Sequence, residues 1–319
     1  MTSVRLALIG DIGATYARFA LVRADGTATP ARVYALNDYP SLAEAIEEYL
    51  AEERPAGKPS QAVLAIAAPI TGDRVTLTNH PWTFSIEALR QRLHLDRLRV
   101  VNDFAANALA IPRLSAGDRV QVGGGSPAAD TPIGIIGPGT GLGVGALVPL
   151  PDGGAPIQGE GGHVTMAPAD ARESAVIDLM RKRYDHVSAE RVLSGPGLVN
   201  LYNALCELDG VPAGPFTPAQ ISNSKIWDED PRTRETTAMF CAMLGTVAGN
   251  LALTLGARGG VYIAGGIVPQ LGPFFAQSAF RARFEAKGRM HAYLAAIPTY
   301  VIVHPLPALL GAAVMLKKS

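Results

Sequence analysis

Only two cysteines, Cys206 and Cys241, occur in 319 residues. They form no CxxC pair and no zinc-type spacing, which excludes a disulfide scaffold and points to a reducing compartment. Neither sign of charge is in excess: 28 Lys and Arg stand against 28 Asp and Glu. A nucleic-acid or anionic-membrane partner would call for a basic face, so neither is expected. Residues 1–10 carry Arg5 inside an apolar run and lack the basic start, long apolar core and small-residue cleavage site of a secretion signal, so a cytoplasmic location is expected. One uncharged run, residues 236–257, is long enough to cross a bilayer. Gly245, Thr246, Gly249, Asn250, Thr254 and Gly256 dilute it, and it reads as a buried core helix. Two nucleotide-binding motifs are also missing. The loop Gly57-Lys58 is followed by Pro59 and has no upstream glycine spacing for a Walker A loop, and the glycine run at 137–143 continues into an apolar strand where a dinucleotide fold would enter a helix.

What remains is ample core material, 48% hydrophobic against 18% charged. Single cores stop growing near roughly 250 to 300 residues, so this length favours two domains with a cleft between them. One internal echo organises the chain. Leu6 to Gly10 runs through a glycine-containing turn into Ala20-Leu21-Val22, and Ile133 to Gly137 does the same into Ala146-Leu147-Val148. Each reads as strand, turn and strand, on a plan used twice.

Around these hairpins we expect strands at 31–36, 62–67, 74–78, 98–101, 261–264 and 300–303. Helices are expected from the Ser41 cap to Glu53, at 85–93 and at 104–111, where Pro112 breaks the chain. Further helices are expected at 169–183, 196–208, 217–226 and 231–256, from Gly266 to about Ala286, and from Pro307 to Lys317-Lys318. Alternating strands and helices indicate an α/β fold.

Several motifs carry chemistry. Gly10-Asp11-Ile12-Gly13-Ala14-Thr15 and Gly137-Pro138-Gly139-Thr140-Gly141 are candidate phosphate cradles, because glycine lets successive N–H groups face an anion. Asp11 could hold a metal through water. A pair of ligand-free hairpins is the bland alternative, less attractive because both loops occupy the same place in the echo. Asn102-Asp103 follows a buried strand and precedes a helix. Asp103 there could accept a hydroxyl proton during attack on a phosphoryl group, while Asn102 orients a neighbouring hydroxyl. A helix cap explains the same pair. Glu160-Gly-Gly-His163 and Glu190 offer acceptors suited to a polyol, although Glu190 could also be a surface ion pair with Arg191. His163 lacks companions at metal-ligand spacing. Gly265-Gly266 ends an apolar strand and could pass close to a flat ring or simply make a tight turn. Trp82 in Asn79-His80-Pro81-Trp82 reads as core.

Taken in order, these segments resemble the bacterial glucokinases of the non-Cys-rich type. The resemblance runs through residues 10–18, 67–82, 102–112, 137–143, 160–168, 187–202 and 245–269. It implies a two-domain actin-like ATPase (ribonuclease H-like) α/β fold. Residues 1–111 and 305–319 would form the small domain, residues 112–304 the larger one, with a cleft between them. It implies glucose held by Asn102, Asp103, Glu160, His163 and Glu190, with Asp103 as base toward the C6 hydroxyl. It implies ATP gripped by Asp11, Gly13, Ala14, Thr15, Gly139, Thr140 and Gly141, adenine bordered by Gly265 and Gly266, and Mg2+ fixed by Asp11 through water. A homodimer is implied as well. The family's usual first loop is Asp-x-Gly-Gly-Thr-Asn, whereas Ala14 and Tyr16 stand here. A left-handed backbone at position 14 would cost alanine roughly 1 to 2 kcal/mol. A kinase for another hexose, or a sugar-binding regulator without turnover, are the competing readings.

Overall fold

The computed structural model describes residues 6–151 and 153–316. The chain divides into two compact units, Met1–Leu114 with His304–Ser319, and Ser115–Val303.

In the first unit, strands β1 (Ala7–Ile12), β2 (Tyr16–Val22) and β3 (Arg32–Ala35) lead to helix α1 (Leu42–Glu53) and strand β4 (Gln61–Ile66). A two-stranded ribbon, β5 (Arg74–Thr76) and β6 (Thr83–Ser85), is followed by α2 (Ile86–Arg92), β7 (Arg97–Asn102) and α3 (Asp103–Ala110). The sheet order is β3-β2-β1-β4-β7, antiparallel from β3 to β1 and parallel from β1 to β7. Leu8 and Ile9 of β1 and Val63, Leu64, Ala65 and Ile66 of β4 are all buried, as central parallel strands covered on both faces require. Side-chain oxygens of Ser41 and Ser85 accept from Ala43 N and Ala88 N, and so start α1 and α2. Trp82 is buried and donates its indole N–H to the Tyr39 carbonyl. The C-terminal helix (Pro307–Leu316) lies on α3 so closely that a methyl at Gly311 would overlap the Ala106 carbonyl.

The second unit contains β8 (Arg119–Val122), β9 (Ile133–Pro138), β10 (Leu142–Val148), β11 (Ala155–Gly159), α4 (Ala171–Arg181), α5 (Gly195–Leu208), α6 (Pro218–Ile221) and α7 (Pro231–Leu255). After these come β12 (Val261–Ile263), α8 (Ile267–Leu271), α9 (Pro273–Gln277), α10 (Phe280–Glu285), α11 (His291–Ala295) and β13 (Thr299–Ile302). Its sheet runs β11-β10-β9-β12-β13-β8, with β9, β12 and β13 parallel. Helix α7 is long and apolar enough for a membrane span, yet Phe240, Cys241, Leu244, Ala248 and Ala252 are wholly buried. Gly245 and Gly249 sit against the main-chain oxygens of Phe280 and Phe284, so α10 crosses α7 at backbone contact. Burial pushes the Cys241 thiol up to about 12, which leaves it a core side chain and a poor nucleophile.

The echo in the sequence appears as architecture. Each unit has an antiparallel hairpin, β1–β2 or β9–β10, whose first strand pairs on its other side with a parallel strand, β4 or β12. Other expectations change. Gly10 and Gly137 lie inside β1 and β9, so the turns are only residues 13–15 and 139–141. Gly10 serves packing: a Cβ there would meet the Leu64 side chain at 2.7 Å. The helix expected at 217–226 stops at Ile221, and just beyond it the Asn223 side chain accepts from Lys225 N, a local bond that competes with helix. The helix expected from Gly266 to Ala286 is three short ones, interrupted at Gly272, whose φ is 51°, and at extended Ser278. Strands β8 and β11 and helix α11 were not foreseen in the sequence. The end predicted at Lys317-Lys318 lies outside the described residues.

Substituting Gly311→Ala is expected to lower the unfolding free energy by about 1–3 kcal/mol through overpacking. Urea denaturation followed by circular dichroism measures this, and an unchanged midpoint and slope would refute the close-approach explanation.

Candidate active site

In the first unit, the parallel register aligns Ile12 of β1, Ile66 of β4 and Asn102 of β7 in one row. Adjacent strands are about 4.8 Å apart, so the first glycine turn and the Asn102-Asp103 pair lie within about two strand spacings at the same sheet edge. This is the carboxyl end of the parallel strands, where open α/β sheets bind ligands. Asn102 caps α3: its Oδ1 accepts from Phe104 N at 2.9 Å and Ala105 N at 3.3 Å, while its Nδ2 donates to the Ala68 carbonyl at 3.3 Å. The cap of α3 is therefore Asn102 rather than Asp103. Asp103 is the first helical residue, half-buried, with Oδ1 accepting from Phe104 N.

Asp11 stands directly across the hairpin from Arg18, and the guanidinium approaches the carboxylate at 3.4 Å. Burial raises the Asp11 pKa, and Arg18 opposes that rise without cancelling it. The turn closes through Gly13 N donating to the Tyr16 carbonyl at 3.0 Å, and Thr15 and Tyr16 are exposed. Ala14 does not have a positive φ; among the described residues other than glycine, Arg54, His94 and Asp130 do. The left-handed strain considered for Ala14 does not arise.

In the second unit, four segments meet at the β9–β10 turn. Gly139 N donates to the Gly141 carbonyl, and the Gly139 carbonyl accepts from Gly195 N at the start of α5, both at 2.8 Å. Glu190 Oε2 accepts from Leu142 N at 2.8 Å. No ion pair to Arg191 forms; that guanidinium stacks on the Tyr184 ring at 4.2 Å. Gly161 and Gly162 pack on Val144 and on the Leu142 carbonyl, bringing the Glu160–His163 turn against the same hairpin. Glu160 and His163 are exposed, and their side chains approach to 3.9 Å. That turn is stitched to Glu190's segment by Ala189 N donating to the Val164 carbonyl at 2.9 Å and Met166 N to Val187 at 3.0 Å. Gly265, at φ 82°, presses its Cα against the Pro138 carbonyl where a side chain would clash, so residues 265–266 border the same turn. Among the sequence-predicted residues, Glu160, His163, Glu190, Gly139, Thr140, Gly141, Gly265 and Gly266 thus gather within this unit, and Asp11, Gly13, Ala14, Thr15, Asn102 and Asp103 along one sheet edge of the other.

Similarity to known proteins extends over nearly the whole chain. A family model described as Glucokinase matches residues 8–319. The chain belongs to the glucokinase family. It is 54% identical over 310 residues to a glucokinase of Aromatoleum aromaticum, covering 97% of this chain and 94% of that protein. It is 52% identical to a glucokinase of Paramagnetospirillum magneticum, covering 97% of each. Among solved structures it is similar to a glucokinase from an Antarctic psychrotroph, with TM-score 0.87, 37% identity and 99% of each chain covered. The fold is accordingly that of the actin-like ATPases and sugar kinases.

Within the family frame, three partners escaped sequence reasoning: the Leu142 amide beneath Glu190, the Ala68 carbonyl beneath Asn102, and the Asp11–Arg18 pair. The last was legible in principle, because a hairpin closed by Gly13 and Tyr16 around Ala14-Thr15 pairs Ile12 with Ala17 and Asp11 with Arg18. A raised carboxyl pKa favours the protonated form in the fold, so its stabilising contribution is present below the unfolded value of 3.8 and is lost as pH rises through the folded value. Asp11→Asn cannot ionise. Its melting temperature relative to the unsubstituted protein is therefore expected to improve as pH rises from about 4 to about 8 without nucleotide; thermal scans across that range check it, and a difference that shrinks with pH would contradict the burial argument.

Proposed function

We propose that Asp103 is the general base in the reaction that family membership assigns to this chain, the ATP-dependent phosphorylation of glucose at C6. The observation that carries the proposal is the division of labour at the end of β7: Asn102 serves the helix end with its own Oδ1, so the cap does not require the Asp103 carboxylate. In the reaction, an Asp103 oxygen accepts the C6 hydroxyl proton as O6 bonds to the γ-phosphorus, the bond to the bridging oxygen breaks, and ADP leaves. We assign the sugar hydroxyls to Glu160, His163 and Glu190, which supply acceptors for a polyol, and to Asn102, whose Oδ1 is taken by the helix end and whose Nδ2 has one hydrogen left to donate.

Phosphates are assigned to the two glycine turns, 13–15 and 139–141, whose backbone N–H groups suit anions, and the adenine edge to Gly265 and Gly266. Among the described residues no cluster of three or more His, Cys, Asp or Glu could hold a metal alone. Asp11 nevertheless fits Mg2+: it is one half-buried carboxylate with a cation only at 3.4 Å, in keeping with an ion held through water and substrate phosphates. When bound, Mg2+ supplies charge neutralisation at the phosphate oxygens. Asp11 orients its waters, and Arg18 holds Asp11 in register. The domain reading, residues 1–111 with 305–319 and residues 112–304, belongs to this proposal, as do a homodimer and a cytoplasmic location.

Asp103→Asn keeps shape and hydrogen bonding but removes the base. Turnover is expected to fall roughly 10²-fold or more while glucose binding by calorimetry is largely kept; near-normal turnover in a coupled ADP assay would eliminate Asp103 as base. Light scattering should give the mass of two chains, and a monomer mass would reject the dimer.

A further inference from the structure

The Glu190 carboxylate is assigned to the sugar, yet it accepts a hydrogen bond from the turn assigned to the nucleotide. Oε2 accepts from the Leu142 amide at 2.8 Å, the first residue of β10 and the residue directly after Gly141. The same oxygen lies where a Cβ on Gly141 would stand, and Glu190 atoms are the only neighbours within 4 Å of that position. Gly141 has no positive φ, so its backbone would accept alanine. Glycine is therefore used at position 141 for the space that Glu190 fills.

The segment bearing Glu190 also holds the turn from its other end. The Ser194 hydroxyl donates to the Glu190 carbonyl at 2.8 Å, and Gly195 N donates to the Gly139 carbonyl at 2.8 Å. Residues 190–195 thus grip the turn at both Gly139 and Leu142.

We infer that Glu190 is a positioning residue for the second phosphate turn as well as a sugar ligand, so that one carboxylate joins the glucose and nucleotide halves of the second unit. This rests on the reading of Glu190 as a sugar ligand. A carboxylate accepts at two oxygens, so Oε2 keeps the Leu142 amide while Oε1 takes a sugar hydroxyl. The turn holds the acid at its angle toward the sugar, and the acid holds the turn in the shape that meets phosphate. Because the linkage is reciprocal, a change on either side is felt on the other.

Four proteins test it: unsubstituted, Gly141→Ala, Glu190→Ala, and the double variant, with glucose affinity measured by calorimetry in the absence of nucleotide. Gly141→Ala is expected to raise the glucose Kd about tenfold, although it lies in the phosphate turn, because it displaces a charged acceptor. Glu190→Ala should raise it at least as much, and the double variant should be no worse than Glu190→Ala alone, since the methyl then has nothing to displace. Separately, the Kd for the ATP analogue AMPPNP without glucose should rise about threefold or more in Glu190→Ala, a readout that stands even if Gly141→Ala does not fold. An unchanged glucose Kd in folded Gly141→Ala, an additive double variant, or an unchanged AMPPNP Kd in Glu190→Ala overturns the inference while leaving Glu190 a sugar ligand. An unchanged glucose Kd in Glu190→Ala instead removes the reading beneath it.

Discussion

Close backbone approach at the tip of β9 and β10 is the constraint on which the second unit's chemistry depends. Side chains are missing at Gly141, Gly161, Gly162 and Gly265, and each gap is occupied: by the Glu190 carboxylate, Val144, the Leu142 carbonyl and the Pro138 carbonyl. A Cβ at Gly162 or Gly265 would overlap a main-chain carbonyl and force a segment to shift, whereas at Gly141 and Gly161 it would displace a side chain. The glycines thus bring residues distant in the chain to one hairpin, and only at Gly265 does a positive φ add a conformational reason to the steric one.

The first unit reaches a comparable result by register. Parallel pairing of β1, β4 and β7 sets Ile12, Ile66 and Asn102 in a row, so the strand ends terminate together and their following loops share one edge. Behind that edge, the C-terminal helix packs on α3 at Gly311, and the helix whose first residue is Asp103 is backed by solid packing.

Much of this was readable from residue order. The paired hairpins, the Ser41 cap, the Asn102-Asp103 boundary between β7 and α3 and the core character of α7 all follow from local periodicity and capping chemistry, which act within a few residues. Short elements were less legible. Strand β8 alternates over only four residues and β11 shows no alternation, both being short edge strands with at least half their residues exposed, and the stretch after Gly266 breaks into α8, α9 and α10 because Gly272 and Ser278 leave helical geometry. The doubt attached to Ala14 also dissolved only in three dimensions, since no residue name reports its own φ.

Family and fold class were legible in the order of amino acids alone, because motif spacing and composition are properties of the chain. Which group accepts from which amide was settled only by tertiary structure. Glu190 reads equally well as a surface ion pair or a ligand until Leu142, forty-eight positions earlier, donates to it. Such a pairing depends on where two distant segments come to rest, and local propensity contains no term for that distance.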